Sequence, residues 1–218
     1  MHDRNRLLDG IHVDQEVFRL RPDFALLAIV VEGLPSGPSE GIPVTTRAEA
    51  GVHVDSWREA YRAFGAKPNR TRNSLEALLR RPELPQVNRV VDSYNTVSVR
   101  HGLPIGGEDL DAYAGLPRLV RARGDEAFDT MANGEPVTET ADPGEVVWRD
   151  DAGVTCRRWN HRQCVRTRLR EDSKRGLFLL ERLEPMPLAA LSAAGEDLIR
   201  ALGPDVDVCS RLIAQEAA

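Results

Sequence analysis

Two adjoining stretches carry the strongest structural signal in this chain, Leu84-Pro-Gln-Val-Asn-Arg-Val-Val-Asp-Ser-Tyr-Asn95 and Gly102-Leu-Pro-Ile-Gly-Gly-Glu-Asp-Leu-Asp111. In the first stretch and just beyond it, apolar residues recur at positions 87, 90, 91, 94 and 97, the spacing of one buried face of an α-helix. Gly102 and Pro104 end this helix, because glycine favours the left-handed conformation after a helix and proline cannot continue one. The pattern therefore predicts a buried helix over residues 85–100.

On either side of these stretches, helical and strand-like patterns are interspersed. Capping boxes at Thr46 and Ser56 predict either one helix from residue 46 to Gly65 or two short helices that meet near Gly51. Further helices are predicted from residue 73 or 74 up to Pro82 and over residues 187–202. Strands are predicted at 13–20, 24–31, 118–122, 145–150, 153–159, 163–169, 176–183 and 206–213, with a frayed segment at 1–10 and a loop at 33–44. Because no βαβ rhythm is present, we expect an α+β fold with a mixed or antiparallel sheet packed by helices.

The composition limits the class of protein. With 218 residues, of which 41% are hydrophobic and 29% charged, we expect a single domain over residues 1–218. No apolar run approaches the roughly 18 residues of a membrane span, and Met1-His-Asp-Arg-Asn-Arg6 lacks the apolar segment of a secretory signal. We therefore expect a cytoplasmic protein that does not act at a membrane. The three cysteines lack C-x-x-C spacing, and Cys156 and Cys164 with His161 between them match a metal site poorly, so we expect no metal and no cofactor.

Charge is distributed unevenly along the chain. The net charge of −5 argues against a general nucleic-acid-binding protein, but residues 57–100 and 156–175 are basic while residues 106–151 are acidic. Arg70 and Arg72 precede a predicted helix N-terminus, a combination that suits a phosphate. Three more arginines share one face of the strand predicted near 163–169, about 6.6 Å apart, and could follow a sugar-phosphate backbone: Arg166, Arg168 and Arg170. Ordinary solvent-exposed arginines are the alternative in both segments.

The segment Arg157-Arg158-Trp159-Asn160-His161 mixes cationic, aromatic and amide side chains. A nucleic-acid base can stack on Trp159 or an arginine, and Asn160 can bind a base edge. A half-buried tryptophan beneath a surface arginine explains the same residues, and an isolated histidine such as His161 is most often structural. No P-loop, zinc-protease, serine-hydrolase or dinucleotide-binding motif is present. The Gly106-Gly107 pair allows close backbone approach, but a plain tight turn also explains it, and its acidic neighbours would repel a phosphate.

The two stretches quoted first resemble the B3/B4 module of the β chain of bacterial phenylalanyl-tRNA synthetase, with its Asn-x-Val-Val-Asp-x-x-Asn helix and its Gly-x-Pro-x-His-x-x-Asp-x-Asp turn. The resemblance continues through Val120-Arg-Ala-Arg-Gly-Asp-Glu-Ala-Phe128, Val146-Val-Trp-Arg-Asp150 and Leu179-Leu-Glu181, and covers residues 67–184. The chain also resembles the freestanding B3/B4-domain proteins, which lack the ligase. In the synthetase, this module is an editing domain that hydrolyses tyrosine mistakenly esterified to the phenylalanine tRNA.

The resemblance assigns positions in this sequence to the editing pocket. Asn95 matches the family's asparagine on the helix, and Glu181 matches the glutamate that helps to recognise the misplaced amino acid. Gly106 stands where the synthetase has a histidine, and Cys156-Arg-Arg-Trp-Asn160 stands where its pocket wall is glycine-rich. The resemblance therefore implies a pocket between Asn95 and Glu181, and arginines in its wall favour a smaller or more polar aminoacyl group than tyrosine.

The function implied by the resemblance is a trans-acting hydrolase that removes a mis-esterified amino acid from tRNA, with tRNA or aminoacyl-tRNA as its partner. Glu181 and Asn95 would orient the substrate, and Arg157, Arg158 or N–H groups near the Gly106-Gly107 pair would stabilise the oxyanion. Two alternatives stay open: a non-catalytic tRNA- or RNA-binding protein, and a module that binds a free amino acid or a related metabolite. The sequence specifies neither the amino acid, nor the tRNA, nor the oligomeric state.

Overall fold

The computed structural model describes residues 2–42, 44 and 47–215, and of residues 2 and 3 it describes the backbone alone. The α-helices among these residues are α1 (His2–Gly10), α2 (Gln15–Leu20), α3 (Gly51–Ala63), α4 (Ser74–Leu79), α5 (Arg89–His101) and α6 (Leu188–Leu202). The strands are β1 (His12–Val13), β2 (Ala25–Glu32), β3 (Ile105–Asp109), β4 (Arg118–Arg121), β5 (Ala127–Ala132), β6 (Glu135–Thr140), β7 (Val146–Arg149), β8 (Val154–Arg157), β9 (Arg162–Gln163), β10 (Arg175–Arg182) and β11 (Asp207–Ala214). No helix in this part of the chain is both long enough and apolar enough to cross a membrane.

The strands form two sheets and a separate hairpin. The first sheet is antiparallel, with the strand order β11-β2-β10-β3. The second has the order β1-β4-β7-β8-β9, in which β1 and β4 are parallel and the other pairs antiparallel. Strands β5 and β6 pair with each other. The expected α+β class, with mixed and antiparallel sheets packed by helices, is confirmed.

Strand β10 is buried on both faces and divides the core in two. Leu177 and Leu179 pack into one cluster with Trp148 of the second sheet, whereas Phe178 and Leu180 pack into another beneath α5 and α6. Successive side chains of a strand point to opposite faces. The same alternation therefore turns Glu181, the acidic residue of β10, toward the second sheet.

Helix α5 confirms the helix predicted from the periodicity, although it begins four residues later. Val87 is exposed in extended chain, and Asn88 caps the helix by accepting a hydrogen bond from the Val91 N–H at 2.9 Å. Gly102 ends the helix with a φ of 73°, a left-handed conformation that glycine adopts without steric cost. The helix packs against α4, α6 and β3 and presents Asn95 toward β10 and the second sheet.

The Gly106-Gly107 pair lies in strand β3, so the alternative of a tight turn is wrong. A Cβ atom on Gly107 would lie 2.6 Å from Cε1 of Tyr94 and 2.8 Å from Cδ1 of Leu169. The absence of a side chain therefore lets α5 pack closely on β3. A Cβ atom on Gly106 would meet no atom within 4 Å, because this residue faces an open pocket.

At the N-terminus, the predicted strand at 13–20 is wrong. Residues 15–20 form α2, because Asp14 accepts a hydrogen bond from the Glu16 N–H at 2.8 Å and Val17 and Phe18 share a buried face. Residues 2–10, expected to fray, form α1. Ser56 does not cap a helix but lies inside α3, and Thr46 lies outside the described residues.

Two further predictions failed in the second half of the chain. The strand expected at 163–169 is reduced to β9, after which the chain continues as a loop joined to β3 by the Asp109 N–H bond to the Thr167 carbonyl. The β5–β6 hairpin was not predicted, although its turn residues Asn133 and Gly134 carry a typical hairpin signal. Both have positive φ, of 53° and 85°, which suits the type I′ turn that joins two antiparallel strands.

The contrast between the two glycines of β3 predicts a difference in stability. Gly107→Ala should lower the free energy of unfolding by about 1–3 kcal/mol, because the new methyl group overlaps the Tyr94 ring. Gly106→Ala, the matched control, should change it by far less. Urea denaturation of both variants measures this, and equal effects would contradict the packing described for Gly107.

Candidate functional site

A pocket of about 230 Å³ lies between α4, α5, β3, β10 and the turn that joins β8 to β9. Leu179 and Gly106, which pair across β10 and β3, form its floor, and the missing side chain of Gly106 leaves the space open. The polar residues of its lining come from separate segments: Asn95, Glu108, Asn160, His161, Gln163 and Glu181. Sites for drug-sized ligands typically have about 300–1,000 Å³. This pocket therefore suits a group the size of an amino acid better than a nucleotide.

Glu181 is the most firmly held polar residue of the pocket, with 2% of its surface exposed. Trp148 Nε1 donates a hydrogen bond to its Oε1 at 2.8 Å, and Asn160 Nδ2 donates to its Oε2 at 2.7 Å. The hydroxyl of Tyr61 donates in turn to Asn160 Oδ1 at 2.8 Å. Burial raises the pKa of the Glu181 carboxyl to about 7, although the two donors favour the carboxylate.

Glu108 is a second buried carboxyl in the same pocket, also with 2% of its surface exposed. It lies two residues along β3 from Gly106, on the same face, opposite Leu177 of β10. Its Oε2 atom has no hydrogen-bond partner among the described residues. Burial raises the pKa of this carboxyl to about 8. Sequence reasoning missed Glu108 because β3 was not recognised as a strand; with β3 in place, alternation puts residues 106 and 108 on one face.

Asn95, predicted to face a pocket, lines this one together with Glu181. Only 8% of its surface is exposed, yet its side-chain amide makes no hydrogen bond to any other described residue. A nearly buried amide without a partner in the protein is available to a ligand.

His161, given little weight from the sequence, also lines the pocket. Its Nδ1 atom lies 2.7 Å from the Arg72 carbonyl oxygen, which can only accept, so Nδ1 carries the proton and donates it. Burial lowers the pKa of this imidazole, and the neighbouring Arg158 and Arg162 lower it further. The ring is therefore neutral at pH 7, with an unprotonated Nε2 that can accept a proton.

The turn that carries Asn160 and His161 has an unusual backbone. Arg158 and Trp159 have φ values of 48° and 66°, in the left-handed region that bulky residues rarely adopt. The Arg158 N–H bonds to Glu145 Oε1 at 2.7 Å, and the Trp159 N–H bonds to the Val146 carbonyl at 2.6 Å. These bonds hold the wall of the pocket.

The base-stacking role considered for Trp159 does not fit its position. Its indole is completely buried, with its ring centroid 5.3 Å from that of Trp57 and 5.1 Å from that of Phe24. It supports the pocket from beneath and leaves no ring face exposed to a base.

The two arginines predicted for the pocket wall lie elsewhere. Arg157 donates to Glu145 from Nε at 3.0 Å and from Nη2 at 2.7 Å, and is 5% exposed. Arg158 contacts Asp142 and Thr71 and lines a neighbouring cavity of about 520 Å³. The expectation that Arg157 and Arg158 form the pocket wall is therefore wrong, because acidic residues earlier in the chain draw both guanidinium groups away.

The predicted phosphate-binding arginines are also distributed differently. Asn73 caps α4 through the Glu76 N–H, and the Ser74 N–H bonds to the Asn160 carbonyl, so that helix N-terminus does not offer the free N–H groups expected beside Arg70 and Arg72. Arg166 pairs with the buried carboxylate of Asp150 at 2.8 Å. The three arginines of the expected row do not share a strand face, since they follow β9 in the loop; Arg168 and Arg170 are exposed.

No group of three His, Cys, Asp or Glu side chains in the described part of the chain could hold a metal ion. The three cysteines are free thiols: Cys156, Cys164 and Cys209.

Comparison with known proteins gives the class. Residues 56–193 match the B3/4 domain family, and the chain belongs to that family. A solved structure similar to it is an N-terminal fragment of the phenylalanyl-tRNA synthetase β-subunit from Pyrococcus horikoshii, with 15% sequence identity and a TM-score of 0.45. The match covers 88% of this chain and 48% of that fragment, so this chain spans about half of its length. No curated protein matches the sequence.

The buried carboxyls predict how stability depends on pH. Burial raises the pKa of Glu108 from an ordinary 4.5 to about 8, so the native state holds this proton longer than the unfolded state. The contribution of protonated Glu108 to the free energy of unfolding is therefore complete below pH 4.5 and is lost as the pH rises to about 8. Glu108→Gln should lose less stability than wild type between pH 4.5 and 8.5, by on the order of a few kcal/mol.

Urea denaturation of wild type and Glu108→Gln at several pH values tests this prediction. In Glu108→Gln, the free energy of unfolding should still decrease as the pH rises, because Glu181 ionises, and this decrease should end near pH 7. Parallel stability curves for the two proteins would show that Glu108 ionises normally in the folded state.

Proposed function

We propose that this protein is a trans-acting hydrolase that removes a mis-esterified amino acid from tRNA. The observation that carries the proposal is the pocket of amino-acid size that brings together Asn95, Gly106 and Glu181. The resemblance to the synthetase editing module had marked these same three positions. Membership of the B3/4 domain family supports an activity related to tRNA synthetases. We extend the proposal to a single domain over residues 1–218 that works in the cytoplasm.

Hydrolysis of an aminoacyl ester needs a water molecule whose proton is removed as its oxygen attacks the carbonyl carbon. His161 supplies this base in our proposal. Its Nδ1–H is fixed by the Arg72 carbonyl, which aligns the ring, and its neutral Nε2 takes the proton. The terminal ribose oxygen of the tRNA then leaves and takes up that proton, and the free amino acid is released.

The developing oxyanion needs a hydrogen-bond donor that is not already used within the protein. The Asn95 amide meets this requirement, since it lines the pocket without a partner in the described residues. Arg157 and Arg158 do not, because their guanidinium groups are bound to acidic residues outside the pocket. We therefore assign oxyanion stabilisation to Asn95 instead of the arginine pair.

The tRNA acceptor end would approach across α4 and the β8–β9 turn, where the pocket opens. Arg81 lies at this rim, is exposed and forms no ion pair with the described residues. Arg162 lies at the same rim, bound to Glu139 and stacked 5.0 Å from the Phe128 ring centroid. An unpaired cation beside the pocket suits a backbone phosphate of the terminal nucleotides.

The proposed base predicts a loss of activity in one variant. His161→Ala should slow deacylation of a mischarged tRNA by about 100-fold or more, the usual contribution of a general base. Arg158→Ala, its neighbour outside the pocket, should slow deacylation far less. Because the pKa of His161 is lowered, the wild-type rate should persist below pH 6.5, the ordinary value for histidine, before it falls with protonation.

A panel of correctly and wrongly charged tRNAs, assayed for release of the amino acid, provides the measurement. Equal rates for wild type and His161→Ala would remove the histidine from the mechanism. If no charged tRNA is deacylated above the no-enzyme background, the non-catalytic tRNA-binding protein becomes the better function, consistent with the absence of the synthetase histidine at Gly106.

The rim arginine predicts a change in tRNA binding. Arg81→Ala should weaken binding and reduce the slope of log affinity against log salt by about 0.7–0.9, the contribution of one phosphate contact. Arg19→Ala, which removes an exposed cation from α2, serves as the control. Filter binding at several salt concentrations measures both, and identical slopes for the two variants would show that the tRNA does not cross this rim.

A further inference from the structure

Half of the buried acidic residues in the described part of the chain are paired with an arginine. Glu145 pairs with Arg157 at 2.7 Å, and Asp150 pairs with Arg166 at 2.8 Å. Glu76 follows the same pattern, since several arginines surround its carboxylate. This pairing is expected, because an isolated charge is costly to bury.

The other half has no arginine partner: Asp92 and Asp109 accept hydrogen bonds from hydroxyl and N–H groups instead, and the remaining two acids lie in the pocket. Neither Glu108 nor Glu181 forms an ion pair with any described residue. Glu181 receives two neutral hydrogen bonds, whereas the Oε2 atom of Glu108 receives none although it is buried. Both carboxyls lie on the pocket side of the first sheet, since the register places Gly106 and Glu108 opposite Leu179 and Leu177. Among the described buried acids, Glu108 alone has a buried carboxyl oxygen with neither an ion pair nor a hydrogen bond, and this residue lines the pocket.

We propose that this pocket binds a cationic group of its ligand, an ammonium or a guanidinium, with Glu108 as the principal acceptor and Glu181 as the second. The identification of that ligand as an aminoacyl group rests on the proposed function; the cation site itself does not. An ammonium or guanidinium group favours the ionised form of both acids and gives Glu108 Oε2 a donor, whereas an apolar group would leave that oxygen without a partner. The substrate class is an amino acid whose positive charge enters the pocket.

Two sources could supply the cation, namely the α-ammonium group that every aminoacyl ester carries and the ammonium group of a basic side chain. Four amino-acid amides distinguish these two sources of the charge, and because they contain no ester they cannot be hydrolysed by the proposed activity. Lysinamide carries both charges, norleucinamide only the α-charge, Nα-acetyl-lysinamide only the side-chain charge, and Nα-acetyl-norleucinamide none. Calorimetric titration of each into the protein at pH 7.0, below the pKa of about 7.7–8.0 of an α-amino group, measures the affinities.

The cationic amides that fit the pocket should bind at least tenfold more tightly than Nα-acetyl-norleucinamide. Glu108→Gln should reduce that preference by at least tenfold, whereas Glu83→Gln, which removes an exposed carboxylate, should preserve it. Gly106→Leu should also abolish binding, because its side chain would fill the open space above Leu179. This second variant keeps the test valid if Glu108→Gln folds poorly.

The amide that binds identifies the source of the charge, and either source supports the proposal. Equal affinity for charged and uncharged amides, no binding of any cationic amide at millimolar concentration, or an unchanged preference in Glu108→Gln would overturn it. Failure of the hydrolase proposal is seen separately, as no deacylation in the tRNA panel by a protein that still binds cationic amides.

Discussion

The carboxyl group of Glu181 joins the parts of the protein that form the pocket. Trp148 binds it from strand β7 and Asn160 binds it from the β8–β9 turn, while Tyr61 of α3 holds Asn160 in place. One buried acid at the end of β10 thus connects the first sheet to the second sheet and to a helix. Without it, two buried donors, Trp148 Nε1 and Asn160 Nδ2, would lose their partners, and each such loss typically costs about 1–3 kcal/mol. The position of the second sheet relative to the first, and with it the shape of the pocket, depends on this contact.

Sequence alone predicted the parts of the fold that are set by local periodicity and by residues with special backbone preferences. Helix α5, its glycine end and the central strands β2 and β10 belong to this group. The placement of Asn95 and Glu181 in one pocket followed from the resemblance to the synthetase module, and both line the pocket. Strand β3 was missed because two glycines interrupt its alternation, and Glu108 was missed with it. Helix α2 was missed because six residues are too few to show a helical period.

The arginines were misjudged for a different reason. Their alternation along the chain was visible, but their partners were not, since Glu145 and Asp150 precede them by 12 and 16 residues. The basic segment at 156–175 and the acidic segment at 106–151 neutralise each other across the second sheet. Charge segregated along a sequence can therefore indicate internal pairing instead of a surface for nucleic acid. A long-range contact of this kind becomes visible only when the fold is known.

The left-handed turn at Arg158 and Trp159 has a consequence for ligand binding. Each of these residues occupies a conformation that costs about 1–2 kcal/mol, and the buried Trp159 ring and two backbone hydrogen bonds keep it there. Asn160 and His161 are thus fixed before any ligand arrives. A ligand that enters loses its own freedom but orders little of the protein, so the entropic cost of complex formation is small. A rigid wall of this kind selects by shape, since it cannot adjust to a group that does not fit.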